Sequence, residues 1–132
     1  DSFLRKWFQP RIINTTTEDA FHNYFVLNDI KIDYLHIDAG HSYENVKEDF
    51  ELYTQILSTN AIVSIHDTDP NYADKYIVTN EVKDRGDFDD WTGPIKFNQE
   101  IDETKWEKIN LFNFGIVKNK PSSTGITILR KK

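Results

Sequence analysis

The chain has 132 residues, 38% of them hydrophobic and 14% aromatic, so it can bury one core, and we expect a single domain over residues 1–132. Its formal net charge of −6 gives no basic surface for nucleic acid, and no apolar run has the length of a membrane span. We therefore expect a cytoplasmic protein that binds neither nucleic acid nor membrane. The absence of cysteine excludes disulfides, thiolate metal sites and cysteine nucleophiles.

The first thirty residues contain two predicted elements. The β-branched run RIINTTT at residues 11–17 is typical of a short strand. A helix is predicted over residues 18–27, with Thr17 as its N-cap. Glu18 and Asp19 then lie in its first turn, where the helix dipole favours carboxylates.

The middle of the chain predicts a strand, a helix and a second strand. Residues 32–37 and 61–65 are rich in Ile, Val and Leu without strict polar alternation, as expected of parallel strands buried on both faces. A helix is predicted over residues 44–57, because apolar residues recur there at helical spacing. These residues are Val46, Phe50, Tyr53 and Leu57. A right-handed crossover places the carboxyl ends of both strands at one edge of the sheet, where open α/β sheets bind ligands.

The last third predicts a further helix and a closing pair of strands. The helix is expected over residues 73–85, and the acidic segment 86–103, which contains Gly93 and Pro94, is expected to be irregular. Residues 106–118 and 125–130 are predicted to form an antiparallel hairpin. The predicted fold class is α/β, with a mostly parallel sheet closed by a C-terminal antiparallel hairpin.

Two carboxylates follow the predicted central strands. Asp38 ends the first strand and Asp67 ends the second. A carboxylate beside a buried strand needs a cation, backbone donors or water, so each residue is either a ligand or the cap of a local turn. Together they would form an oxygen site suited to Mg²⁺ or Mn²⁺.

Histidines accompany both carboxylates. His66 precedes Asp67 and is a candidate metal ligand, although alternation along a strand would direct the two side chains apart. His41 follows Asp38 by three residues and is either a general base or a solvated loop residue. His36, inside the first strand, is predicted to be a buried core histidine.

The segment DYLHIDAGHSYENVKEDFELY, followed by AIVSIHD, resembles class I S-adenosylmethionine-dependent methyltransferases. The similarity is to the cephalosporin hydroxylase-like and macrocin-type O-methyltransferases. It implies a Rossmann-like fold, methyl transfer from S-adenosylmethionine to a small hydroxylated substrate, and a Mg²⁺ or Mn²⁺ ion. The residues implied are Asp38, His66 and Asp67 for the metal, His41 as catalytic base, and Thr17, Glu18 and Asp38 for the cofactor. His66 departs from the metal-dependent members and the small catechol-type O-methyltransferases, which commonly have Asp or Glu there.

The resemblance also implies features that this sequence lacks. No glycine-rich cofactor loop and no acidic ribose-binding residue precede Arg11, so we expect the chain to be the C-terminal part of a methyltransferase domain. The missing first strand would leave residues 32–37 with an unpaired edge, which predicts a homo-oligomer. Two alternatives stay open: a non-catalytic fragment or partner subunit, and a metal-dependent hydrolase.

Overall fold

The computed structural model describes residues 10–71, 92–112 and 124–132, and the backbone of residues 116–117 and 120–121. The helix predicted over residues 73–85 lies outside this part of the chain. Within it, no helix combines the length and apolar character needed to cross a membrane.

The first helix, α1, spans Thr17–Ala20 and continues as a π-helical segment, Phe21–Val26. Its N-cap is Thr16, one residue earlier than predicted, and the Thr16 hydroxyl accepts a hydrogen bond from the Asp19 amide at 3.1 Å. The strand predicted over residues 11–17 is wrong. Residues 10–16 have no regular structure and are mostly exposed, because no described strand lies beside them to pair with.

The predicted strand-helix-strand unit is present. Strand β1 spans Ile32–Ile37, helix α2 spans Tyr43–Tyr53 with a 3-10 turn at Thr54–Ile56, and strand β2 spans Leu57–His66. The helix ends earlier than predicted because Leu57 already belongs to β2, where it pairs with Ile32. The remaining apolar positions of the helical stripe, Val46, Phe50 and Tyr53, are buried as expected.

Helix α3, Gly93–Glu100, occupies part of the segment expected to be irregular, so that expectation is wrong for these residues. Pro94 lies in its first turn, where proline favours a helix because the amide there has no partner within the helix. Ile95 and Phe97 are buried and anchor the helix. Their apolar signal was outweighed by the acidic residues around them.

The described residues after β2 form four further strands. They are β3 (Trp106–Leu111), β4 (Ile116–Val117), β5 (Lys120–Pro121) and β6 (Ile126–Lys131). The main sheet has the order β1-β2-β6-β3, with β1 and β2 parallel and the other neighbours antiparallel, while β4 and β5 pair separately. The α/β fold class and the closing antiparallel pair, β3 with β6, are therefore confirmed. The first strand of that pair was predicted to extend to residue 118, but it ends at Leu111.

The core lies on one face of the sheet, under α2 and α3. Its buried residues are Ile37, Val46, Phe50, Val63, Ile65, Phe97, Ile101, Trp106 and Leu129. His36 was predicted to be buried and is not: its side chain is 41% exposed. Since Leu35 and Ile37 face the helices, His36 faces the opposite side of the sheet, where the described residues place no helix.

Candidate active site

The parallel pairing of β1 and β2 brings Asp38 beside His66. Ile37 lies opposite Ile65, so the residues that follow them meet at the carboxyl edge of the sheet. His66 Nδ1 lies 3.2 Å from Asp38 Oδ1 and 3.2 Å from Asp67 Oδ1. Atoms bound to one divalent ion at about 2.1 Å lie about 3 Å apart. Asp38, His66 and Asp67 thus form a group whose donor atoms, all within 4.8 Å of one another, fit a single ion.

The backbone of Asp67 explains why its side chain joins that of His66. Asp67 has a φ of 59°, in the left-handed region that aspartate tolerates better than most residues. This turn at the end of β2 breaks the alternation that would send the two side chains apart, so the divergent alternative is wrong. Asp67 is only 6% exposed, which makes its carboxylate dependent on the partners around it.

His41 lies over the same edge, in the loop between β1 and α2. Its Nε2 is 2.7 Å from Asp67 Oδ2, and its side chain is 26% exposed. The Asp67 carboxylate therefore faces His66 through one oxygen and His41 through the other. An ionised carboxylate only accepts hydrogen bonds, so with Asp67 in that form Nε2 of His41 would donate and Nδ1 would be the nitrogen able to accept a proton.

Three contacts fix the loop that carries His41. The Ser42 hydroxyl caps α2 by accepting from the Asn45 amide at 3.1 Å. The Tyr43 hydroxyl donates to Glu100 of α3, and this hydrogen bond raises the pKa of Tyr43. Gly93 lies so close that a Cβ there would be 2.2 Å from the carbonyl oxygen of His41. Helix α3 thus supports the loop directly.

The sequence did not point to two polar residues near this group, Ser64 and Thr124. The Ser64 hydroxyl lies 2.7 Å from Tyr34 Oη and 2.7 Å from His36 Nδ1, on the open face of the sheet. The Thr124 hydroxyl lies 3.1 Å from His66 Nε2. Strand alternation with His66 is a signal that could have found Ser64, but Thr124 precedes β6 and carries no local signal.

Thr17 and Glu18 lie elsewhere in the described contacts. The backbone carbonyl of Thr17 accepts from the Tyr53 hydroxyl at 2.8 Å, and its side chain hydrogen-bonds to Asp49 in α2. Burial raises the pKa of Asp49, and the Thr17 hydrogen bond partly opposes this. Glu18 is exposed. No described contact joins Thr17 or Glu18 to Asp38, and their cofactor role stays a prediction.

Comparison with known proteins supports the resemblance seen in the sequence. A family model described as a methyltransferase domain matches residues 2–68. An uncharacterized Sinorhizobium fredii protein, y4gI, is 36% identical over 59 residues, which are 45% of this chain and 6% of that protein. The matched region therefore spans a small part of that relative.

A solved structure shares the fold. It is a Staphylococcus aureus protein with a provisional description as a caffeoyl-CoA O-methyltransferase, and it matches with a TM-score of 0.62 at 22% identity. The match covers 99% of this chain and 56% of that one, so the chain spans about half the length of this relative. The family model covers more than half of the 132 residues and includes Asp38, His41, His66 and Asp67. The chain therefore belongs to this family of methyltransferase domains.

Proposed function

We propose that the chain functions as an S-adenosylmethionine-dependent, metal-assisted O-methyltransferase that acts on a small hydroxylated substrate. The observation that carries this proposal is the meeting of Asp38, His66 and Asp67 at the carboxyl edge of a methyltransferase fold, with His41 beside them. Family membership also weighs against the hydrolase alternative.

The donor atoms toward an ion would be Asp38 Oδ1, His66 Nδ1 and Asp67 Oδ1. A bound divalent ion would hold substrate oxygens and make a hydroxyl more acidic. The second oxygen of Asp67 orients His41, so the side chain of Asp67 serves both the ion and the base. In this proposal Thr17, Glu18 and Asp38 contact S-adenosylmethionine.

His41 would act as the general base. Because its Nε2 donates to Asp67, Nδ1 accepts the proton of the substrate hydroxyl as the oxygen attacks the methyl carbon. The carbon–sulfur bond of the sulfonium breaks, and its electron pair stays on sulfur. The products are a methyl ether, a neutral thioether and a protonated His41, whose charge the Asp67 carboxylate stabilises.

A methyl-transfer assay tests this proposal. Radiolabelled S-adenosylmethionine is supplied with a panel of catechols and sugars, with and without Mg²⁺ or Mn²⁺. Loss of a general base costs about 10²- to 10⁴-fold, so we expect His41→Gln to lower kcat/KM by at least about 10²-fold. His22→Gln is the matched control, because His22 is exposed on the α1 segment. Equal activity of His41→Gln and the wild type would contradict the proposal.

A second candidate function follows from the share of the solved relative that the chain spans, 56%. We propose as the alternative that the chain supplies only the metal and substrate side of a methyltransferase, completed by residues outside it. Metal binding that is lost in Asp38→Ala, without any binding of S-adenosylmethionine, would favour this alternative.

We also propose that the chain associates with a second copy through the edge of β1. In the described part of the sheet, β1 has β2 as its single neighbour. Tyr34 on this strand is 60% exposed. An unpaired edge with a large exposed side chain favours pairing with another strand.

A further inference from the structure

We propose that this site selects a divalent transition ion of the Co²⁺ or Zn²⁺ kind over Mg²⁺, and that Thr124 is the positioning residue that makes His66 its ligand. The inference rests on the metal site of the proposed function and adds its selectivity.

The imidazole of His66 places a nitrogen donor beside both carboxylates. His66 Nδ1 lies 3.2 Å from each of the two carboxylate oxygens, so an ion between Asp38 and Asp67 also contacts the imidazole. Mg²⁺ prefers oxygen ligands, whereas imidazole with carboxylates suits zinc, iron and cobalt. Without the His66 nitrogen, the described group offers an ion only two protein ligands.

The Thr124 hydroxyl lies 3.1 Å from Nε2, the other ring nitrogen of His66. Coordination through Nδ1 requires the ring proton on Nε2, and the hydroxyl can accept that proton's hydrogen bond. The same hydroxyl can donate to Nε2 when Nδ1 carries the proton and faces the carboxylates. Thr124 therefore holds the ring in one orientation with or without an ion.

Thr124 is itself anchored to the loop that follows β2. Its carbonyl accepts from the Asp69 amide at 3.0 Å. Gly125 has a φ of 81°, and a Cβ there would be 2.6 Å from Cβ of Asp69, so the two segments touch closely. The hydroxyl is thus fixed relative to Asp67, two residues before Asp69.

Both carboxylates direct one oxygen toward His66 and the other oxygen toward a second histidine. Asp67 turns Oδ1 toward His66 and Oδ2 toward His41 Nε2 at 2.7 Å. Asp38 turns Oδ1 toward His66 and Oδ2 toward His36 Nε2 at 3.8 Å. Each carboxylate thus directs one oxygen toward the ion position and the other toward an outer histidine, so the oxygens that would face the ion are held in place.

Binding of Co²⁺ and Mg²⁺ to the metal-stripped full chain tests the selectivity, by calorimetric titration and by the visible absorption of Co²⁺. We expect the ratio of Co²⁺ to Mg²⁺ affinity to fall at least about tenfold in His66→Asp, which replaces nitrogen by oxygen. His22→Ala is the matched control and keeps the wild-type ratio. An unchanged ratio in His66→Asp would overturn the inference.

Thr124 is tested in two backgrounds. Loss of an outer partner typically costs about 10- to 100-fold in metal affinity, so Thr124→Ala should weaken Co²⁺ binding by that factor, while Thr124→Ser, which keeps the hydroxyl, restores it. In the His66→Asp background, Thr124→Ala should have no effect on affinity. An equal loss in both backgrounds would show a merely structural role and overturn the assignment.

These outcomes separate the inference from the proposed function. Tight Mg²⁺ binding without Co²⁺ selectivity would refute the inference and leave metal-assisted transfer standing. Co²⁺ selectivity in a chain that transfers no methyl group would refute the activity and leave the metal assignment standing.

Discussion

Replacement of Gly93 by alanine tests the support that α3 gives to the His41 loop. A Cβ at Gly93 would lie 2.2 Å from the carbonyl oxygen of His41 and 2.4 Å from the backbone of Ser42 and Tyr43. All of these atoms belong to the main chain, so relief requires α3 and the loop to separate by about 1 Å. Overpacking of this kind costs about 1–3 kcal/mol.

At about 4 °C per kcal/mol for a domain of this size, Gly93→Ala should lower Tm by about 4–12 °C. Gly40→Ala is the control, because the three atoms nearest to a Cβ there all belong to the Asn45 side chain, whose amide nitrogen, 2.3 Å away, can rotate aside. Both variants are measured by thermal unfolding followed by circular dichroism. The reasoning is refuted if Gly93→Ala melts within about 1 °C of Gly40→Ala.

Three further predictions concern the core, the pH dependence and the sheet edge. Leu129 is 0% exposed, so Leu129→Ala should cost about 2–5 kcal/mol in urea unfolding; a loss under about 1 kcal/mol would contradict the described core. Burial raises the pKa of Asp49, so the folded state holds this proton more tightly than the unfolded chain and the resulting stability is lost as pH rises above about 4. Asp49→Asn should therefore raise Tm at pH 7 and lose that advantage near pH 3.5, and a gap independent of pH would count against this cause. Tyr34→Lys should yield monomers in sedimentation, whereas Ile109→Lys, at an equally exposed position on the opposite edge strand, should not; the same result for both would exclude the β1 edge.

The parallel unit was predictable because its signals are local. The apolar runs at residues 32–37 and 61–65 mark the two strands, and the residue after each run must lie at the carboxyl edge. The prediction that both strands are buried on both faces is wrong for β1, where Tyr34 and His36 are exposed. The meeting of Asp38 with His66 follows from that topology. The fold and much of the candidate site were therefore accessible from sequence.

The features that the sequence did not predict correctly depend on partners that are distant in the chain. Residues 11–17 have strand propensity, but a strand also needs a neighbour, and none of the described residues provides one. Whether the His36 side chain is buried or exposed depends on which side of the sheet the helices cover. The contact of Thr124 with His66 joins residues 58 apart in sequence, across a connection that periodicity does not describe.

Whether the side chains of His66 and Asp67 converge could not be predicted for a different reason, the left-handed backbone at Asp67. Strand alternation is a rule for regular strands, and it ends where β2 ends. A single residue with positive φ then decides whether two candidate ligands meet or diverge. Propensity tolerates aspartate there but does not require it.

The most direct test of the account is calorimetric titration of S-adenosylmethionine and its demethylated product into this chain, with and without a divalent ion. The account predicts measurable binding of both compounds, weakened because these 132 residues include no glycine-rich cofactor loop, and strengthened by an ion bound at Asp38, His66 and Asp67. The absence of binding at millimolar concentrations, in the folded chain and with the ion present, would contradict it.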